Sequence, residues 1–146
     1  MIRRLALEDM ECAAKVHRVS FDQALPTLAG LHTPDEDRWF YRKRMFPTRR
    51  LWGVFEDSEL VGIIAFREGW IDQLYVVPSA QGRGLGSKLL RVAQRELDQI
   101  SLWTFQRNAM ARRFYEARGF VLLRETDGAQ NEEKEPDALY RWKRGE

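Results

Sequence analysis

Residues 81–86 have the sequence Gln-Gly-Arg-Gly-Leu-Gly and lie between a strand-like pattern and a helix-like pattern. Three alternating glycines allow a tight turn that exposes backbone N–H groups. The helix that follows directs its own unpaired N–H groups and its positive dipole end to the same place. This arrangement predicts a binding site for an anion, and a pyrophosphate group is the anion it favours.

Two common phosphate-binding motifs do not fit the spacing of this loop. The dinucleotide fingerprint needs G-x-G-x-x-G, whereas the third glycine here, Gly86, comes one position early. The Walker loop needs Gly-Lys-Ser/Thr, whereas the order here is Gly86-Ser87-Lys88. A glycine-rich turn without a ligand is the alternative, so the flanking elements decide between the two.

The spacing of apolar residues predicts the elements that position this loop, in the order β-α-α-β-β-β-α-β-α-β-β. The predicted strands are Ile2–Leu5, Leu51–Glu56, Leu60–Arg67, Trp70–Val77, Ser101–Phe105, Phe120–Glu125 and Ala138–Lys143. The predicted helices are Leu7–Ser20, Glu36–Met45, Ser87–Gln99 and Ala109–Arg118. Hairpins flank a strand–loop–helix–strand crossover, which predicts one α+β domain over residues 1–146 with a mixed, mostly antiparallel twisted sheet.

Composition limits the classes of function. The chain has 146 residues, the usual size of one domain, and a net charge of +2, so no strong field attracts it to nucleic acid or to a membrane. Cys12 is the only cysteine, which excludes disulfides within the chain and cysteine metal clusters, and no metal is predicted. The N-terminus lacks the apolar segment of a signal peptide, and we expect a cytoplasmic location.

Two motifs resemble the GNAT superfamily of acetyl-CoA-dependent N-acyltransferases. The run from Leu74 through Val77 and Pro78 to Gly86 is similar to the cofactor motif of that family. The run Asn108-x-x-Ala111-x-x-Phe114-Tyr115-Glu116-x-x-Gly119-Phe120 is similar to its partner motif. The predicted element order matches the family from end to end. The resemblance implies the acyl-CoA N-acyltransferase fold, with the sheet opened between the fourth and fifth strands to admit the pantetheine arm of acetyl-CoA.

The resemblance assigns part of the chain to acetyl-CoA. The residues concerned are Tyr75, Val76, Val77, Gln81, Gly82, Arg83, Gly84, Leu85, Gly86, Ser87 and Asn108. Loop amides would hold the pyrophosphate, and the strand edge at 75–77 would pair with the pantetheine amides. The N–H of Tyr75 or of Val76 would face the thioester carbonyl. Asn108 is also expected to be the N-cap of the helix that follows it.

Tyr115 is predicted to be the catalytic acid. A phenol has an ordinary pKa near 10 and a thiol near 8.5, so a nearby phenol can supply a proton to the leaving thiolate. The alternative is an aromatic packing residue, because Phe114 belongs to the buried stripe of the same helix.

Asp72 is predicted to be the general base, acting through water. Some relatives place a carboxylate at the start of the fourth strand, but Trp70 occupies that position here. Asp72 lies two residues further on, and therefore on the same face of an ideal strand. Glu68, a water chain to bulk solvent, and a merely structural Asp72 are the alternatives.

The acceptor is expected to be a primary amine of a small molecule or peptide. Acidic residues of the last hairpin would attract a cationic amine: Glu125, Asp127, Glu132, Glu133, Glu135 and Asp137. The candidates for lining the acceptor pocket are Phe21, His32, Trp39, Trp70 and Trp103. A non-catalytic CoA-binding module and a nucleic-acid-associated protein are the rival interpretations. The sequence allows either a monomer or a homodimer.

Overall fold

A seven-stranded mixed sheet forms the centre of the computed structural model, which describes residues 1–145. The strands are β1 Ile2–Arg4, β2 Arg50–Glu56, β3 Glu59–Arg67, β4 Trp70–Val76, β5 Gln99–Phe105, β6 Val121–Thr126 and β7 Asp137–Lys143. Their order across the sheet is β1-β2-β3-β4-β5-β7-β6. All neighbours are antiparallel except β4 and β5, which are parallel.

Four main helices flank the sheet: α1 Met10–Ala24, α2 Pro34–Trp39, α3 Leu85–Glu96 and α4 Ala109–Glu116. Thr33 caps α2 through a capping box with Glu36, and π-helical turns over Phe40–Met45 continue that helix. None of the helices within residues 1–145 is both long enough and apolar enough to cross a bilayer. The predicted fold class and element order are confirmed.

Several element boundaries differ from the sequence-based prediction, and among them helix α1 ends at Ala24 rather than at Ser20. Helix α1 begins at Met10 rather than at Leu7, because residues 7–9 form a separate 3₁₀ turn. Helix α3 ends at Glu96 rather than at Gln99. Leu97 adopts an extended backbone and buries its side chain, and Gln99 already pairs with Lys143 in the sheet.

The hydrophobic core lies on both faces of the sheet, and β3 joins its two halves. Residues 60–66 of β3 are all buried. Ile63 and Ala65 face α1, whereas Ile64 and Phe66 face α3, as the two-residue period of a strand requires. Burying both faces of this strand fixes the position of β4, which pairs with it and forms one wall of the site described next.

Candidate active site

Strands β4 and β5 separate soon after they begin. Their pairing is confined to Trp70 opposite Ser101, with one further bond from the Ser101 N–H to the Gly69 carbonyl at 2.8 Å. A cleft of about 600 Å³ opens beyond that point, lined by residues 71–75 of β4 and residues 102–105 of β5. The sheet is therefore open at the place that the resemblance implies for the pantetheine arm.

The edge of β4 presents alternate backbone groups to this opening. The Val77 N–H donates to the Val61 carbonyl at 2.9 Å. In an antiparallel ladder successive residues point alternately toward and away from the partner strand, so the Val76 N–H points away from β3. The Tyr75 N–H points toward β3. Of the two amides that the sequence left open, that of Val76 is the one that points away from β3.

The glycine loop after β4 has the backbone that only glycine adopts without strain. Gly82 has φ +81° and Gly84 has φ +79°, and open space surrounds the position of a side chain at either residue. Gly84 is the N-cap of α3, and the first helical bond runs from the Lys88 N–H to the Gly84 carbonyl at 3.1 Å. The N–H groups of residues 85–87 therefore have no partner within the helix.

Gly86 and Gln81 have structural roles in the same loop. A Cβ at Gly86 would lie 3.3 Å from the ring of Phe114, so this glycine lets α3 and α4 pack closely. The Gln81 side-chain amide donates to the Val76 carbonyl at 2.9 Å and ties the loop to the end of β4. Leu85 buries its side chain in the core. These side chains hold the loop, and its backbone faces the solvent.

Two arginines lie near the start of α3. The Arg83 guanidinium, which the sequence assigned to the pyrophosphate, forms an ion pair with Glu56 at 2.9 Å. Arg118 lies across the ring of Phe114, 3.8 Å from its centroid, and its Nε donates to the Ser87 Oγ at 2.9 Å. Sequence reasoning missed Arg118, which is 31 positions from Ser87 in the chain. No spacing rule connects two positions so far apart.

Asn108 and Tyr115 both line the cleft from the β5–α4 side. The Asn108 Oδ1 accepts the Ala111 N–H at 3.2 Å, so the predicted N-cap is confirmed and the side-chain NH₂ is left for another partner. The Tyr115 ring packs edge-on against Phe114 and Phe120, each with a centroid distance of 5.2 Å.

The Tyr115 hydroxyl keeps its proton. Burial raises the pKa of the phenol well above its ordinary value, and the nearby Tyr75 adds to the effect. Within residues 1–145 no protein group hydrogen-bonds to this hydroxyl. It is therefore a protonated donor that faces the cleft with no competing partner.

Asp72 lies in a β-bulge. Ile71 pairs with Phe66 and Gln73 pairs with Ala65, which leaves Asp72 without a partner across the ladder. Its Oδ2 accepts the Arg49 Nε–H at 2.7 Å and the Arg67 Nε–H at 3.2 Å. The carboxylate lines the cleft but is held by two guanidinium groups, so its role as general base stays a prediction.

A half-buried histidine that the sequence did not select lies behind the wall of the cleft. The His17 Nδ1 is 2.7 Å from the Tyr41 hydroxyl. The His17 ring packs against the ring of Tyr75 in a tilted arrangement, with the two centroids 4.6 Å apart. Burial lowers the pKa of His17 to about 4, with a smaller effect from the charge of Arg18. The imidazole is therefore neutral near pH 7 and packs the Tyr75 ring into position.

The outer part of the cleft is aromatic and acidic. Phe21, Trp103, Asp127, Glu133 and Asp137 contribute to it. Three other acidic residues of the hairpin are engaged elsewhere: Glu125 pairs with Arg112 at 3.1 Å, Glu132 with His32 at 2.9 Å, and Glu135 with Arg107 at 3.1 Å.

Three of the five predicted lining candidates lie elsewhere. Trp39 and Trp70 pack against Arg44 and Arg67, and the His32 Nε2 lies 2.9 Å from a carboxylate oxygen of Glu132. Only one or two of the tryptophans were expected to face a substrate, and Trp103 is the candidate tryptophan that lines the cleft.

Comparisons with known proteins agree with this architecture. The family model described as the Acetyltransferase (GNAT) family matches residues 16–120. An uncharacterized N-acetyltransferase of Archaeoglobus fulgidus is 31% identical over 133 residues, which are 78% of this chain and 88% of that protein. The peptidyl-lysine N-acetyltransferase YiaC of Escherichia coli is 33% identical over 73 residues, 49% of this chain and only 50% of that protein. The chain belongs to the GNAT acetyltransferase family.

Solved structures show the same fold. Apo YjaB of Escherichia coli has a TM-score of 0.80 and 22% identity, with 97% of this chain and 96% of that chain covered. The PaiA N-acetyltransferase of Thermoplasma acidophilum, solved with coenzyme A, has a TM-score of 0.71 and 22% identity over 98% of each chain. The predicted family, fold and class of enzyme are confirmed, and the coenzyme A in the PaiA structure agrees with acetyl-CoA as the predicted cosubstrate.

Proposed function

We propose that this protein transfers an acetyl group from acetyl-CoA to a primary amine of a small molecule or peptide, by direct attack while both substrates are bound. The observation that supports this most is the opening between β4 and β5. One end leads to the glycine loop, and the cleft within it is lined by Tyr115 and by acidic side chains. A donor entering at one end and an amine entering at the other would meet there.

The residues present fit acetyl-CoA. Gly82 and Gly84 leave open space where side chains would stand, and the free amides of 85–87 can donate to a pyrophosphate. Arg118 adds a positive charge at the same helix end. Arg83 would join it after exchanging its partner Glu56 for phosphate. The exposed edge of β4 and the free Asn108 NH₂ would hold the pantetheine amides.

Bound acetyl-CoA supplies an activated acetyl thioester. The Val76 N–H would donate to the acyl oxygen and stabilise the negative charge that develops on it. Tyr115 would hold its proton at the phenol oxygen until the departing sulfur takes it. Cys12 is exposed on α1 and is not among the residues that line the cleft, so we propose no covalent enzyme intermediate.

The proton of the attacking amine needs an acceptor. Asp72 lines the cleft and could act through water, but such a water must compete with Arg49 and Arg67. Glu68 has an 84% exposed side chain, which makes it a weaker choice. A water chain from the open cleft to bulk solvent is the third route.

Substitution of Tyr115 by Phe tests the acid role. We expect kcat to fall by about 10²- to 10⁴-fold. The dissociation constant for acetyl-CoA should stay within about twofold, because only one hydroxyl is removed from a ring that remains packed. The measurement is thiol release at saturating acetyl-CoA, combined with calorimetric titration of the cofactor.

Tyr140→Phe is the matched control, because its hydroxyl bonds Glu116 and Arg112 rather than facing the cleft. Its kcat should equal that of the parent. Equal kcat in Tyr115→Phe and the parent would refute the acid role. A panel of amines tests the transfer itself: if acetyl-CoA binds but no amine releases thiol, the non-catalytic module is the better interpretation.

A further inference from the structure

The cleft holds one acidic and one basic side chain that have neither an ion-pair nor a hydrogen-bond partner among the described residues. They are Glu133, from the β6–β7 hairpin, and Arg124, from β6. We infer from them that the acceptor is a free amino acid with an apolar side chain, whose ammonium faces Glu133 and whose carboxylate binds Arg124. This inference rests on the proposed acetyl transfer and names the substrate class of that site.

The other acidic side chains that line the cleft all accept hydrogen bonds, including Asp127, whose Oδ1 accepts the Ala129 N–H at 2.9 Å. Asp72 is held by Arg49 and Arg67. Asp137 accepts hydrogen bonds from the Thr126 hydroxyl and, at 3.1 Å, from the Asn131 amide. Within residues 1–145, Glu133 has no such partner and is only half-exposed. Glu133 lines the cleft together with Tyr75 and Tyr115.

Arg124 is directed toward the cleft across a neighbouring strand. In the sheet, Arg124 of β6 pairs with Leu139 of β7, and Leu139 pairs with Trp103 of β5. Two strand spacings separate β6 from β5, about 9.6 Å. The Arg124 guanidinium nevertheless lies 5.4 Å from the centre of the Trp103 ring. The side chain therefore extends over Leu139 and presents its charge at the cleft, where no carboxylate of the described residues meets it.

An apolar surface lines the same cleft as these two charges. Phe21, Leu25 and Phe105 line the cleft together with the half-exposed ring of Trp103. The Phe21 and Phe105 rings meet edge-on at 6.3 Å. A hydrocarbon or aromatic side chain would gain burial here, while the two charged ends of an amino acid would satisfy Glu133 and Arg124.

Other amines fit this charge pattern less well. A polyamine would bring a second positive charge to Arg124, and like charges in one site disfavour binding. A lysine within a peptide has its carboxyl group in an amide bond, so Arg124 would stay without a counter-ion. The pair of unpaired side chains therefore discriminates in favour of a molecule that carries both an ammonium and a carboxylate.

The experiment compares L-leucine and L-phenylalanine with leucinamide and phenylalaninamide, which lack only the carboxylate. The readout is the ratio of kcat/KM for each amino acid to that of its amide, in the parent and in Arg124→Gln. We expect this ratio to fall by about 10- to 100-fold in Arg124→Gln, through a higher KM for the amino acids. The amino acid and its amide differ in basicity, but the same two amines are used with both enzymes. The difference in basicity therefore does not affect the comparison of the two ratios.

Two further variants separate the charges. Arg141→Gln removes an arginine of β7 that is not among the residues lining the cleft, and it should leave the ratio unchanged. Glu133→Gln should weaken the binding of amino acids and of amides to the same extent, since both carry an ammonium group. Calorimetric titration of the amino acids into protein saturated with coenzyme A should show the same loss of binding in Arg124→Gln without any turnover.

The outcomes distinguish this inference from the proposed function. If Arg124→Gln leaves the ratio unchanged while amines are still acetylated, the inference is wrong and the acetyltransferase proposal stands. Faster acetylation of putrescine or of a lysine peptide than of any amino acid would also overturn it. If no amine of any class is acetylated, the proposed function fails, and the inference fails with it.

Discussion

Arg118 adds a positive charge to the proposed donor site that the sequence analysis did not include. Its guanidinium packs on Phe114 and bonds Ser87, so its charge is held beside the free amides that begin α3. Arg118→Ala should raise the dissociation constant for acetyl-CoA by about 10-fold, the usual effect of losing a charge-assisted contact with phosphate. At saturating acetyl-CoA, kcat should stay close to that of the parent.

Calorimetric titration of acetyl-CoA measures this effect, and Arg113→Ala is its control. Arg113 is an exposed arginine in the last turn of α4, the helix that precedes Arg118. That variant should bind acetyl-CoA as tightly as the parent. If Arg118→Ala binds equally well, the charge at the helix end does not contribute to cofactor affinity.

The same residues show what the sequence could not reveal. The glycine spacing correctly predicts an open loop before a helix, because φ and helix capping are local properties. Which arginine stands beside the loop depends on tertiary packing. Arg83 turns to Glu56, which is 27 positions earlier, while Arg118 arrives from beyond α4. Ion pairs between distant segments leave no periodic signal in a sequence.

At the scale of elements, the departure of β4 from an ideal strand matters most. The two-residue period of a regular strand was the basis for selecting Asp72. The bulge at this residue removes it from the ladder and brings it between Arg49 and Arg67. A bulge adds one residue to one strand only, so it depends on the partner strand and cannot be inferred from the spacing within β4 alone.

Helices α1 and α2 depend on one largely buried ion pair. The Arg18 Nε and Nη2 donate to the two oxygens of Asp37 at 2.8 and 2.9 Å, and Asp37 is 8% exposed. Asp37→Asn should lower the free energy of unfolding by about 3 kcal/mol, because it leaves the guanidinium without its countercharge. Urea denaturation at pH 7 measures the difference.

Asp22→Asn is the matched control for this pair. Asp22 bonds the same arginine at 3.2 Å, but one turn away on α1 and with a more exposed side chain. Its loss should cost only about 0.3–0.5 kcal/mol. Equal destabilisation by the two substitutions would show that the buried, two-contact geometry of the Arg18–Asp37 pair adds no stability beyond that of an exposed pair.

At the scale of the whole molecule, α1 is attached to the sheet through a buried cluster that contains a titratable group. Tyr41 is fully buried and bonds His17, whose ring covers Tyr75 of β4. Because α1 lies over both β3 and β4, a charge placed on His17 would disturb one complete face of the core. The protonation of this single side chain is therefore coupled to global unfolding.

The direction of that coupling follows from the pKa of His17, which burial lowers from 6.5 to about 4. The unfolded chain takes up the proton first as the pH falls, so stability is complete above pH 6.5 and is lost progressively down to about pH 4. Between pH 7.5 and 4.5 the free energy of unfolding of the parent should fall by roughly 2–3 kcal/mol more than that of His17→Gln.

Urea denaturation at the two pH values measures this difference. Both proteins contain the same carboxylates, so the contribution of these groups to the pH dependence is removed when the two proteins are compared. An equal loss in the parent and in His17→Gln would mean that folding does not lower the pKa of His17.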